Sequence, residues 1–179
     1  MQIRFTESPA ETATMNTQQL RDHFLVDGLM KNDQITLVYT HYDRMIIGGV
    51  KPVSKKCVLP NPAELRAEFF LERRELGIIN VGGNGTVTAD GKKFELKKQD
   101  ALYLGKGTKD VSFTSASKKE PAIFYLLSAP AHHTYPSKVC TKEKAAPVQL
   151  GSSETANLRT VYKYIHLEGI RSCQLVMGD

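Results

Sequence analysis

Between Ile35 and Ser128 short β-prone runs alternate with turn signals so closely that no long helix fits anywhere in the interval. Ile35 to Tyr39 and Arg44 to Val50 are followed by Pro52 and the Pro60-Asn61-Pro62 break, then by Gly77 to Val81, the turn Gly82-Gly83-Asn84-Gly85 and Thr86 to Ala89. Asp90-Gly91 is a two-residue hairpin signal of the type I′ class, whose central residues both need positive φ. Lys92 to Leu96, Ala101 to Leu104, Val111 to Phe113 and Ala122 to Ser128 extend the meander, broken once by Gly105-Lys106-Gly107. Many short strands with regular turns predict a closed or sandwich-like all-β domain. One short N-terminal helix is expected over Thr17 to Phe24, capped by Thr17, with Leu20 and Phe24 one turn apart on a face packed against a sheet. Ala63 to Phe70 fits either a helical turn or the approach to a strand. Beyond Ala129, Pro130, Pro136 and Pro147 mark an extended crossing segment, and Thr160 to Ile165 and Ser172 to Met177 alternate like two further strands.

The run from Glu72 to Gly83 resembles the first signature of a cupin barrel stripped of its metal ligands. A metal-binding cupin sets two histidines one residue apart, then an acid, then a glycine, and only the glycine stands here, as Gly83. In that frame the ligand positions are Phe69, Leu71 and Leu76, none of which offers the N, O or S donor a cation needs. The second cupin signature leads a strand into a Pro-x-Gly turn with a histidine soon after. Here Gly105-Lys106-Gly107 and Asp110 stand at those places, without the proline or the histidine. A single carboxylate facing three apolar positions does not hold zinc, which takes at least three protein ligands. The expectation is an all-β, cupin-type double-stranded β-helix that is structural, with no metal.

A chain of 179 residues suits one domain, or one domain and the start of another. The net charge of +5 is spread as lysine pairs among acids, the pattern of a solvated surface, so no nucleic-acid partner is expected. Anionic metabolites suit such a surface better. Cys57, Cys140 and Cys173 are odd in number and far apart, which argues against a disulfide framework and against a structural zinc site. The start is polar and acidic at Glu7 and Glu11, and no apolar run approaches membrane-spanning length, so a cytoplasmic protein without a membrane partner is expected. The final alternating run stops at Asp179 without a polar tail, which reads as an interrupted protein.

Four motifs in order, Phe70-Leu71-Glu72-Arg73-Arg74-Glu75-Leu76-Gly77, Asp100 to Gly107, Ala129 to His132 with Tyr135-Pro136, and Cys173-Gln174-Leu175 with Met177-Gly178, resemble the bacterial 5-keto-4-deoxyuronate isomerase family. The resemblance covers essentially the whole chain from near Met15. It implies a two-barrel cupin, usually a hexamer, that acts in the breakdown of pectin and related polyuronides. The implied activity is ketol isomerisation between 5-dehydro-4-deoxy-D-glucuronate and 3-deoxy-D-glycero-2,5-hexodiulosonate. It also implies zinc in the full-length family, held by a His-x-His-Glu-Arg-Arg sequence, a glutamate and a distant histidine in the second barrel. The chain ends before that sequence, and Glu72-Arg73-Arg74 resembles its first-barrel counterpart, so residues 1–179 are expected to bind no zinc. The organisation expected is an N-terminal arm and short helix over 1–30, the first barrel of a bicupin over 31–130, and over 131–179 a crossover with the opening strands of a truncated second barrel.

Four residues stand out as substrate-binding candidates. His132, beside His133 in the proline-containing connection, is placed either to reach into a second-barrel pocket or to hold a surface loop. Lys106 and Lys109 flank the Gly105 to Gly107 turn at the expected barrel mouth, either to attract a uronate or as solvated lysines. Arg73, with Arg74, Glu72 and Glu75, suits a salt-bridged strand start or a subunit contact better than a substrate clamp, and no residue identifies itself as the catalytic base. The competing expectation is a non-catalytic, metal-free cupin barrel that serves as an assembly or binding module.

Overall fold

The computed structural model describes residues 1–179. In chain order its strands are β1 (Gln2–Arg4), β2 (Ile35–Thr40), β3 (Ile46–Val50), β4 (Cys57–Val58), β5 (Arg74–Asn80), β6 (Gly85–Ala89), β7 (Lys92–Leu96), β8 (Ala101–Leu104), β9 (Val111–Ser115), β10 (Phe124–Pro130), β11 (Lys138–Cys140), β12 (Ala146–Leu150), β13 (Arg159–Ile165) and β14 (Met177–Gly178). Two short helices, α1 (Pro9–Thr12) and α2 (Thr17–Phe24), lie between β1 and β2, and Ala63–Leu65 forms a single 3-10 turn. One sheet runs β1-β2-β3-β10-β5-β8-β11, a second runs β4-β9-β6-β7, and a third runs β12-β13-β14. Every pairing is antiparallel except β1 on β2, where Ile3 sits opposite Tyr39. The first two sheets enclose the apolar interior of a cupin-type barrel, and the third packs on the outside of the first.

The β6–β7 hairpin turns at Asp90-Gly91, with φ of 47° and 79°, the two positive values that a type I′ turn requires. The helix expected over Thr17 to Phe24 forms with those bounds, but its cap and its packing differ from expectation. Thr17 is already helical, and Asn16 is the N-cap, accepting from the Gln19 amide at 2.9 Å while the Gln19 side chain accepts from the Asn16 amide. No residue of α2 is buried; Leu20 and Phe24 stay 38% and 44% exposed, with the Phe24 ring beside Tyr42.

Strand β5 is buried at all seven positions, as only a strand covered on both faces can be. Period-2 alternation divides it between two interiors. Leu76 and Ile78 join the barrel core with Leu37, Ile46, Leu102, Leu104, Phe113 and Phe124, whereas Ile79 joins Tyr103, Tyr164, Ile165, Leu175 and Met177 beneath the third sheet. The expected ligand positions Leu71 and Leu76 are therefore hydrocarbon core, 0% and 1% exposed, each stabilising the fold by roughly 1.5–3 kcal/mol.

Glu75 lies on the second face, fully buried, and all its acceptor capacity is taken up. Oε1 accepts from the amides of Gln174 and Leu175 at 2.8 and 3.0 Å, and Oε2 from the Cys173 amide and the Tyr103 hydroxyl, both at 2.8 Å. This corrects two expectations. Glu72, Arg73, Arg74 and Glu75 make no salt bridge with one another, because Glu75 is filled by neutral donors and both arginines are held by neutral acceptors. Ser172 to Met177 is not a continuous strand either. Only Met177 and Gly178 join the sheet, since the amides of residues 173–175 point at the carboxylate instead of at a neighbouring strand.

Two neighbouring contacts make the joint testable. A Cβ on Gly77 would collide with Met177 Sδ and lie 2.9 Å from Ile165 Cδ1. Gly77→Ala is therefore expected to cost about 1–3 kcal/mol in urea denaturation, and a double-mutant cycle with Met177→Ala to recover part of it; strict additivity would show that the two do not meet. Glu75→Ala is expected to cost about 3 kcal/mol or more by orphaning four donors, and Tyr103→Phe only about 1 kcal/mol. Equal losses would place the weight of the joint on the tyrosine.

Candidate functional site

At the end of the barrel where β2 closes and β5 begins, a cavity of about 370 Å³ opens between Tyr39, His41, Arg44, Leu65, Phe70, Arg73, Arg74 and Pro130, with Glu64 on its rim. Half of its wall is apolar, and its charged part is dominated by three arginines. Arg74 comes from the first position of β5, on the same face as Leu76 and Ile78, so its guanidinium is carried into the barrel mouth and left only 7% exposed. Nε donates to Ser128 Oγ at 3.1 Å, and Nη2 donates to the Ser128 carbonyl at 2.9 Å and to the Arg44 carbonyl at 2.7 Å. Nη1 makes no hydrogen bond and is not among the fully occluded polar atoms. Burial, with a smaller push from the charge of Arg44, lowers the Arg74 pKa to about 10.

Two unusual backbone conformations hold this arrangement. Arg44 adopts φ 53° in the β2–β3 turn, and its carbonyl receives Arg74; Arg66 adopts φ 47° after the 3-10 turn, and its carbonyl receives Arg73 Nη2 at 2.6 Å. Arg73 Nη2 also donates to the Leu65 carbonyl at 3.0 Å. Left-handed non-glycine residues cost roughly 1–3 kcal/mol each and persist where surrounding contacts hold them. None of the three arginines pairs with a carboxylate. Glu64, the one acid in the wall, has its Oε1 3.8 Å from the amino group of Met1. His41 stacks on Phe5 and meets Tyr39 edge-on.

The four candidates from sequence fall in different places. Arg73 lines the cavity. Lys106 and Lys109 lie on the turn after β8, which abuts the same loop through the Gly107 amide on the Leu71 carbonyl at 2.8 Å and Lys109 Nζ over the Phe69 ring. Neither lysine lines the cavity. His132 is exposed in the connection after β10, where His133 rather than His132 makes the local contacts, with its carbonyl accepting from Cys173 Sγ and its ring against Tyr135. Arg44 and Arg74 were not singled out from sequence. The signal for Arg74 was present, since a charge in phase with Leu76 and Ile78 must face the interior; Arg44 depends on a turn whose conformation no local residue announces.

The Glu75–Tyr103 pair is the other concentration of ionisable groups. Burial, and after it the hydrogen bond to Glu75, drives the tyrosine pKa upward, and both side chains are 0% exposed. Closed off from solvent and bonded to the amides of residues 173–175, the pair acts as a joint. No group of three or more His, Cys, Asp or Glu side chains is arranged to hold a metal. With Leu71 and Leu76 packed in the core, the residues present do not fit a zinc ion.

The chain is 49% identical over 178 residues to the 4-deoxy-L-threo-5-hexosulose-uronate ketol-isomerase of Halalkalibacterium halodurans, covering 99% of this chain and 64% of that protein. It is 52% identical over 175 residues to the protein of the same name from Formosa agariphila, covering 98% of this chain and 62% of that protein. It thus spans a little under two thirds of the length of these curated relatives. Among solved structures, an IolB-like protein from Salmonella typhimurium LT2 superposes with a TM-score of 0.51 at 16% identity over 66% of this chain and 43% of that one, a likeness of fold. The model of the KduI/IolB family matches residues 25–179, and the chain belongs to that family.

Proposed function

We propose that this chain serves the ketol isomerisation of 5-dehydro-4-deoxy-D-glucuronate to 3-deoxy-D-glycero-2,5-hexodiulosonate, in the breakdown of pectin and related polyuronides. The observation that carries the reading is the 49% identity, sustained over 178 residues, to a relative bearing the name of that ketol-isomerase. The reading includes a cytoplasmic homo-oligomer, a hexamer by resemblance, and zinc donors in a second barrel outside residues 1–179. No helix here is long and apolar enough to cross a membrane.

Moving a carbonyl between neighbouring carbons needs a base to carry a proton and an electrophile to steady the enediolate. In this family's proposed chemistry zinc supplies that electrophile as a Lewis acid. Residues 1–179 do not fit zinc, so they are given no step through it. Their own contribution is a rigid barrel whose mouth presents oriented guanidinium groups to a carboxylate. Of the candidates from sequence, Arg73 retains this role by lining the cavity; His132, Lys106 and Lys109 are proposed only to raise the local concentration of an anionic substrate.

The filled barrel interior favours a second reading, a metal-free module for assembly or binding. Conversion of 5-dehydro-4-deoxy-D-glucuronate, measured on the purified 179-residue chain beside the H. halodurans relative with zinc quantified in both, separates the two. We expect zinc well below one per chain and conversion far slower than the relative's. One zinc per chain with conversion at the relative's rate would sink the module; no conversion above the uncatalysed rate would sink the isomerase reading for these residues.

A further inference from the structure

The cavity at the barrel mouth combines features that point to a ligand. Arg74 is a cation more than nine-tenths buried with no counter-ion. Stripping a guanidinium of water without pairing it is costly, and the cost is removed when an anion supplies the missing charge. Its orientation is fixed by three neutral acceptors, which leaves Nη1 as its free donor. Arg73 is fixed in the same manner through Nη2, with Nε and Nη1 unengaged. Arg44, whose side chain makes no hydrogen bond, lines the same wall. Two left-handed residues hold the carbonyls that position the guanidinium groups: Arg44, the second central residue of the Tyr42–Met45 hairpin turn after Asp43 at φ 51°, and Arg66, which ends the 3-10 turn.

We propose that this pocket is a binding site for the carboxylate of a sugar acid, with Arg74 as its buried anchor and Arg44 and Arg73 as its rim. Arg44, with its guanidinium unengaged, can meet the planar carboxylate as a bidentate fork, while Arg74 and Arg73, whose Nη2 groups are already taken up, add single N–H donors. The remaining wall, Tyr39, Leu65 and Phe70, offers apolar surface to a carbon skeleton, which inorganic phosphate would leave uncovered. A volume of about 370 Å³ suits a single monosaccharide-sized acid. The site is separate from the sealed Glu75–Tyr103 joint, and it retains or positions an acid without transforming it. The carboxylate class follows from the pocket alone; the choice of a uronate rests on the isomerase reading.

Isothermal titration of the full 179-residue chain with D-galacturonate, D-galactose and inorganic phosphate at one ionic strength tests this. Saturable binding of galacturonate at about 1 mM or tighter is expected, with none for galactose, which lacks the carboxylate. Arg44→Met, whose lost side chain holds no structural hydrogen bond, is expected to weaken binding about tenfold or more while leaving the thermal midpoint unchanged, and Arg74→Met to abolish it. The proposal is overturned by any of three results: no saturable binding below about 10 mM, equal binding of galactose or tighter binding of phosphate, or an Arg44→Met chain that binds as well as the parent. Conversion is read only in the separate isomerase assay, so galacturonate binding beside no conversion there would count against the isomerase reading alone. Activity without binding would count against this site alone.

Discussion

A carboxylate shut off from solvent governs how the chain closes. Glu75 sits at 0% exposure between two apolar layers, and its charge is tolerable there because four donors from outside its own strand converge on it. Three of those donors are consecutive backbone amides nearly a hundred residues away in sequence. The carboxylate therefore does for the 173–175 segment what a neighbouring strand would otherwise do. Once that segment is committed, Leu175 and Met177 drop into the layer above β5, and the third sheet has only one place to lie.

The same strand explains why the barrel mouth carries charge. Its two faces serve two interiors, so the step from Arg74 to Glu75 is also a step from one environment to the other. Arg74 emerges where the core ends, near enough to the opening to keep one nitrogen free and deep enough to lose most of its hydration. Asn80 closes the far end of the strand in a more ordinary manner, its amide bonding the Gly83 and Leu96 carbonyls and accepting from Gly82 and Ile123. One end of β5 is thus saturated and quiet, and the other is anchored but incomplete.

Local chemistry was legible in the sequence wherever it was self-sufficient. Asp90-Gly91 needs no distant partner to make its turn, and the strands on either side of it follow from alternation. The Thr17 to Phe24 helix was readable for the same reason, although its cap lay one residue earlier, because Asn16 and Gln19 satisfy each other's amides. Ser172 to Met177 alternates like a strand but is claimed by Glu75, a choice that depends on a residue in another layer. The charged run from Glu72 to Glu75 invites pairing by sign, and the fold instead gives each charge neutral partners. The arginine pocket needed parity along β5, the turn at Arg44 and the loop at Arg66 to be known together, and no window of sequence holds all three.

Gly77 and Met177 fill one space between them, with a bare backbone below and a flexible thioether above. Neither residue is free to vary alone: a larger side chain in the strand demands a smaller one in the sheet that covers it, so substitutions at the two positions are expected to travel together through the lineage. The same tight seat makes the sulfur a sensor of damage. An oxygen added to Met177 would put a polar group where there is neither room nor a donor, and it would lift the covering sheet away from the barrel.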